Sequence, residues 1–497
     1  MREAELGIQD RVCRLREKQD ALPDHKIILL HADATDHDSS ASIGRWSMTT
    51  SEYELSRTTK IGWAIGELGI ATFVGLTMIY LLYFLTQALG IAPLWAGMAL
   101  LIPRLWDVLI DPVIGAISDH TRTRMGRRRP YVLVAACTIG PLFALLFAVP
   151  SGLSGTGRIV YVTLLYLLAS SAYSLLDVPY SAMAAEFTND YKERTNLTGY
   201  KMVAARAGIV LAVTLGPLIF GSQGSLVAGF RLLGLVSGAF IVATTFTTFF
   251  ATRRAPRIER PIQKFSVRAE LISLRENRPF RSLWLAFLFQ NLAIGASSTT
   301  LIYLITFVMK AGAAVVGPMI AIGAIVGLLV TPLWVLIARR LGKRNSYLAG
   351  MAISALMSLP ALIIPADLYV LLFVVLLVAG VGDAATQLFP NAMVPDTVEV
   401  DELRTGMRRE GAIFGAWSFC RKLGMAGGAF LVSVGLSFVG FVSGADAGVQ
   451  PPGALVGIRA IYALVPCTLW ILAMVVMWRY ELSEARFNEI KARIQKG

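Results

Sequence analysis

Apolar runs of eighteen residues or more recur along nearly the whole of this 497-residue chain, separated by short polar loops. Inside a bilayer every backbone N–H and C=O must be satisfied by the protein, so runs of this length cross it as helices. The pattern predicts an all-α membrane protein with twelve transmembrane helices. They lie near 61–89, 93–119, 130–150, 158–187, 199–221, 229–251, 281–309, 313–338, 346–365, 367–395, 410–441 and 457–478. Only 16% of the residues are charged, against about a quarter in soluble proteins, in keeping with that reading.

The net charge of +13 does not point to nucleic acid, because the basic residues collect in alternate loops. One set holds Arg122, Arg124 and Arg127–Arg129, then Lys192 and Arg194, then Arg253 to Arg278. It continues with Arg339, Arg340, Lys343 and Arg344, and with Arg404, Arg408 and Arg409. The other set, TQALGIAP and PSGLSGTG among them, is nearly bare. The positive-inside bias makes the basic side cytoplasmic, with both termini on it, in a bacterial inner membrane.

Residues 1–59 are polar, lack a signal-peptide pattern and are expected to be disordered; Met48 among them is a candidate start of translation. Residues 253–280 form the longest basic-side connection, in which SVRAELISLREN can lie as an amphipathic helix against membrane lipids. They divide an N-terminal six-helix half, 60–252, from a C-terminal one, 281–480, and 481–497 form a tail. Four cysteines without motif spacing, and three of four histidines in the first 40 residues, offer neither a disulfide framework nor a metal or His-based catalytic pattern. With no hydrolytic triad or nucleotide loop either, an enzyme and a bound cofactor are not expected.

An internal repeat supports the division. Asp111-Pro112 is followed by Gly126-Arg127-Arg128, and in the second half Thr331-Pro332 is followed by Gly342-Lys343-Arg344. Likewise Asp177–Thr195 is similar to Leu388–Thr405 in its proline, Ala-Met, acid and Arg-Thr. Two six-helix pseudo-repeats around a central cavity are the major facilitator architecture, with binding near the midplane. The repeat breaks where Asp111 meets Thr331 and Asp177 meets roughly Leu388, which places ion binding in the first half.

The stretch LIPRLWDVLIDPVIGAISDHTRTRMGRRRPY carries the chemistry. Arg104, Asp107 and Asp111 are spaced by three and four residues, so they share one helix face. A carboxylate at the bilayer centre costs about 2.5–3.5 kcal/mol even on lenient scales, so two on one stripe need a cation, a proton or basic partners. The fourth helix adds Tyr173, Ser174 and Asp177, the fifth Arg206, and the eleventh Trp417 and Lys422. Asp107, Asp111 and Asp177 set against Arg104 and Lys422 leave one surplus negative charge, which suits one H+ or Na+. A static alternative pairs Asp107 with Arg104 and Asp177 with Lys422 as fixed buried bridges. Asp119, Arg127, Arg128, Glu186, Asp396 and Arg408 fall beside the basic loops and are expected to bridge as a cytoplasmic gate.

RLWDVLIDPVIGAISDHTRTRMGRRRPY resembles the second helix and following loop of the glycoside–pentoside–hexuronide:cation symporters, the melibiose permease family. The resemblance extends through LLDVPYSAM and VPDTVEVDELRTGMRREGAIFGAWSFCRKLG and covers essentially all of residues 60–480. It implies a cation site at Asp107, Asp111 and Asp177, a sodium ion being one occupant, with Ser174 where the family's permease has threonine. It also makes Lys422 the link between cation and sugar sites, with Arg104 beside it as a second coupling residue. The departures are Ala71 at the family's sugar-binding carboxylate, Ser181 at its tryptophan and Met202 at its helix-five arginine, with Arg206 one turn on. They argue against galactoside recognition. Ile110 replaces an asparagine beside Asp111, and because hard cations want about six oxygens, its loss favours a proton over sodium.

The expected activity is therefore cation-coupled symport of a sugar, glycoside or uronide by a monomer. Tyr80, Tyr83, Tyr173, Arg206, Gln290, Asn291, Gln387 and Trp417 are the candidate substrate contacts. Cation-coupled transport of an amphipathic lysolipid, or a non-transporting sensor, are the alternatives.

Overall fold

The computed structural model describes residues 55–188, 190–256, 276–312, 315–405 and 409–482, with 487 and 489. Met48, most of the 253–280 connection and the gate candidate Arg408 lie outside the described residues.

Everything regular among the described residues is helical. The helices are α1 (Arg57–Ile79), α2 (Pro93–His120), α3 (Arg129–Phe147), α4 (Gly155–Phe187), α5 (Tyr191–Phe220) and α6 (Leu226–Ala251). Then follow α7 (Arg278–Tyr303), α8 (Val316–Ser358), α9 (Val370–Thr405), α10 (Glu410–Phe438) and α11 (Pro452–Trp478). Ten helical segments among the described residues are long and apolar enough to cross a membrane. Their starts follow ordinary capping chemistry. Ser56, Ser154, Asp190, Ser225 and Asn277 each accept a backbone N–H from the first turn, and proline opens α2, α3, α7 and α11.

α1 and α7 are the most enclosed spans, each 72% buried, so each is the axis of its half of the chain. α1 packs on α5 and α6, and α7 on α10 and α11. With no hydrophobic drive between helices in lipid, close approach depends on small residues. A Cβ on Gly140 of α3 would stand 2.4 Å from the carbonyl oxygen of Gly238 in α6, and one on Gly428 of α10 would stand 2.3 Å from that of Leu292 in α7.

Three matched details recur in the two halves. Gly126 and Gly342 both take positive φ, 94° and 79°, a turn that a Cβ would strain; Gly342 thereby breaks the 43-residue α8 into two. The base after each glycine turn clamps an acid on a neighbouring helix: Arg128 meets Glu186 at 2.7 Å and Lys343 meets Asp396 at 2.7 Å. Finally, LLYFLT (81–86) and LIYLIT (301–306) both lead into five-residue π turns, Phe84–Ala88 and Leu304–Val308. That third repeat is readable in the sequence once the geometry draws attention to it.

Candidate functional site

α2 carries prolines at 103 and 112, on either side of its charged stripe. Each removes a backbone hydrogen bond and loosens the helix there. Arg104 donates to the Thr77 hydroxyl at 3.1 Å, lies over the Tyr166 ring at 5.6 Å and stands 3.5 Å from Asp107. Asp107 is fully buried, yet neither of its oxygens receives a hydrogen bond. Lys422 of α10 crosses from the second half of the chain to donate to Asp111 at 2.5 Å, leaving the other Asp111 oxygen without a partner. The buried Ser174 hydroxyl has none either. Asp177 makes no hydrogen bond or ion pair among the described residues, and Asp107 feels the charges of Arg104, Lys422, Asp111 and Asp177 together.

The static alternative is thus half right in its geometry. Arg104 does stand beside Asp107, but Lys422 pairs with Asp111 and not with Asp177. Among the described residues no three His, Cys, Asp or Glu side chains are placed to hold a metal ion, so the three aspartates do not form a closed sodium cage in this state. Around Lys422 the cavity is walled by Thr77, Arg104, Tyr166, Tyr173 and Arg421. Tyr173 presents its ring to Lys422 at 5.5 Å and stacks on Phe73, so it holds its place as a cavity residue.

Other expected substrate contacts are buried in this state. Tyr80 is enclosed and donates its hydroxyl to the Val213 carbonyl at 2.7 Å. Tyr83 joins Tyr303 and Phe307 in an aromatic plug at the bare-loop end. Gln290 is tied to Thr386 and Tyr347 and so joins helices of the second half, while Asn291 donates to its own helix at Phe287. Trp417 stacks on Phe287 at 3.7 Å, with only its N–H turned to Asn391. Arg206 does face the other half, 3.9 Å from Asp383, which also accepts from Gln387.

Residues left out of the substrate list also belong here. Lys201 stands 3.5 Å from Glu67, donates to Ser181 and lies over Tyr180. It is adjacent to Met202, the slot where the melibiose permease-like pattern has arginine. Arg421 immediately precedes Lys422 and lines the same cavity.

At the bare-loop end the two halves meet directly. The Thr86 and Tyr303 hydroxyls are 2.6 Å apart, and Thr299 donates to the Met78 carbonyl at 3.2 Å. At the basic end the ion pairs described for Asp119, Arg127, Arg128, Glu186 and Asp396 fall within a half. Arg128 binds both Asp119, at 2.8 Å, and Glu186, which also lies 3.3 Å from Arg127. They therefore hold neighbouring helices of one half in register. Removing Glu186 breaks two ion pairs where removing Asp119 breaks one. Thermal unfolding in detergent is expected to show Glu186→Gln destabilising by about 1–2 kcal/mol and Asp119→Asn by less.

The family described as MFS/sugar transport protein matches residues 62–484. A glucuronide carrier protein homolog of Escherichia coli K12 is 28% identical over 444 residues, covering 89% of this chain and 96% of that one. A putative glycoside/cation symporter of the same bacterium is 28% identical over 452 residues, covering 89% and 96%. The structure of a bacterial homolog of the lysosomal transporter Spinster superposes with a TM-score of 0.64 over 87% of this chain and all of that one; at 15% identity it speaks for the fold alone. The match across nearly all of the helical region places this chain in the MFS/sugar transport protein family, among the glycoside–pentoside–hexuronide:cation symporters of the major facilitator superfamily, as a transporter and not an enzyme.

Proposed function

We propose that the chain is a secondary active transporter that couples the movement of a cation to that of a sugar, glycoside or uronide by alternating access. Counting α2 as a span and dividing α8 at Gly342 gives twelve spans in two six-helix pseudo-repeats. The paired glycine turns, clamps and π turns support that arrangement. The basic loops face the cytoplasm of a bacterial cell in this reading. The names of the two Escherichia coli relatives favour a sugar-derived substrate.

The observation that carries the proposal is the incomplete matching of the acid stripe. Lys422 reaches across the halves and satisfies one oxygen of Asp111, while Asp107 and Asp177 have no hydrogen-bond donor. Lys422 gives Asp111, from the other half, the positive charge that a coupling cation would also supply. When one arrives from solution, Asp111 no longer needs the lysine, the tie between halves loosens, and ion binding becomes linked to the change of access. A proton suits the stripe better than sodium, because it needs one carboxylate and not about six converging oxygens. Trp417, Gln290, Asn291, Tyr80 and Tyr83 support the walls; Tyr173, Arg206 and Gln387 remain candidates to touch substrate.

Proteoliposomes test this. Asp177→Asn is expected to retain substrate counterflow while losing at least about tenfold of its accumulation under a cation gradient, a loss of about 1.4 kcal/mol of coupling. Proton and sodium gradients imposed separately identify the ion. Undiminished accumulation by Asp177→Asn under both gradients overturns the proposal.

A further inference from the structure

Two ion pairs join α1 to α5, and they differ in kind. Lys60 donates to Glu193 at 2.8 Å, and the two side chains keep only 11% and 10% of their exposure, so this pair is a closed structural bridge. Two turns deeper the polarity reverses, with Glu67 on α1 and Lys201 on α5. Here the charges stand 3.5 Å apart, the Glu67 side chain keeps 11% of its exposure, and its enclosed Oε2 receives no hydrogen bond. Lys201 is held elsewhere: it donates to the Ser181 hydroxyl at 2.9 Å and lies 5.1 Å over the Tyr180 ring. The rise along α1 from Arg57 to Glu67 is about 15 Å, half of a hydrocarbon core about 30 Å thick. Glu67 is therefore a carboxylate at mid-membrane depth whose enclosed oxygen lacks the hydrogen bond that would fix its charge. Around it α4 brings Asp177 and Tyr180, and α10 brings Arg421, within electrostatic reach, while α6 presents Thr244 and Thr248 along the same stretch of α1.

We infer that Glu67 is a second proton-binding site, separate from the acid stripe of α2, and that Lys201 is the partner it gives up when the proton arrives. This goes beyond the symport reading and does not depend on it. The proton comes from water, forms an O–H bond at the Glu67 carboxylate and returns to water on release; no other bond changes. An intramembrane carboxylate is costly, and the proton removes its charge. Lys201 then loses one partner but keeps the Ser181 hydroxyl and the Tyr180 ring, so the lysine is not stranded when Glu67 becomes neutral. Ser181 is exposed and Lys201 keeps 26% of its side-chain exposure, so a polar route leads from Glu67 out of the packed helices. The site also bears on the stripe. Glu67 and Asp177 are like charges within reach of each other, so a proton on one weakens cation binding at the other by a reciprocal factor.

The test uses the proton alone and needs no substrate. Infrared difference spectra of the purified protein in liposomes are recorded as pH is stepped from alkaline to mildly acidic, in light and in heavy water. The unsubstituted protein is expected to gain a carboxylic-acid carbonyl band that Glu67→Gln loses and Glu67→Asp displaces in frequency. Lys201→Gln is expected to keep the band and to shift the pH at which it appears. A pH step applied to the same liposomes on a solid-supported electrode is expected to displace less charge in Glu67→Gln, because one proton no longer enters the membrane. Glu67→Gln spectra that match those of the unsubstituted protein, in a variant shown by thermal unfolding to be folded, overturn the inference. If that variant does not fold, a band unmoved by Glu67→Asp overturns it instead. A band that keeps its pH in Lys201→Gln, or displaced charge that is equal in Glu67→Gln, overturns it as well.

Discussion

Replacing Lys422 with methionine is expected to abolish uphill uptake and to destabilise the protein in detergent by about 2–3 kcal/mol. Removing one partner of a buried ion pair costs about 3–5 kcal/mol because the other charge is left behind. The lower end applies here because the side chain of Asp111 keeps 22% of its exposure while that of Lys422 keeps 7%. Methionine fills much of the same volume, so the loss reports the charge more than the packing. Adding Asp111→Asn removes the stranded carboxylate. The double variant is expected to regain most of its stability and none of its uptake. Thermal unfolding of the two single variants and the double variant, read as a double-mutant cycle, gives the interaction directly. Additive losses would mean that Lys422 and Asp111 do not act as a pair, and restored uptake in the double variant would remove Asp111 from the coupling mechanism.

The second large effect belongs to the bare-loop end, where the halves close on glycine. A Cβ on Gly97 of α2 would stand 1.8 Å from the Ser433 hydroxyl oxygen and 2.6 Å from its Cβ in α10. A Cβ on Gly317 of α8 would stand 2.5 Å from the Thr214 Cα in α5. Overpacking of this kind costs about 1–3 kcal/mol, and every 1.4 kcal/mol is a factor of ten in an equilibrium. Gly97→Ala and Gly317→Ala are each expected to shift the protein about tenfold or more away from this closed state. Spin labels at Ser222 and Asp446, in bare loops of the two halves, are expected to report a longer separation. The two variants should part company on rescue. Ser433→Gly removes the two nearest atoms that oppose Gly97, leaving the Phe430 ring at 3.2 Å, and restores most of the closed state; no side-chain truncation moves the Thr214 backbone, so Gly317→Ala keeps its defect. Unchanged label distances in both variants would show that this contact does not control access.

Much of the site was legible because helical spacing is a local property. Arg104, Asp107 and Asp111 had to share a face of α2, and Gly126 and Gly342 had to open matching turns before their basic clusters. The pairing of Arg128 with Glu186 followed from placing both beside the same loops. Gln290, Asn291 and Tyr83 lie in packed positions for a definable reason. In a span where both the lipid face and the packed face are apolar, periodicity does not say which side turns inward. Gln290 and Asn291 therefore looked like cavity residues, whereas they are buried and bonded within their own half. Tyr83 looked the same and closes the bare-loop end.

The order of apolar runs and the three-and-four spacing of charges determined, from the chain alone, that helices span a membrane and that acids line one of them. Only the packed structure decided that Lys422 meets Asp111, 311 positions earlier, and that Arg421 lines the cavity beside it. The difference is physical: helix geometry fixes the face on which a residue lies, but the close approach of one helix to another fixes what that face meets.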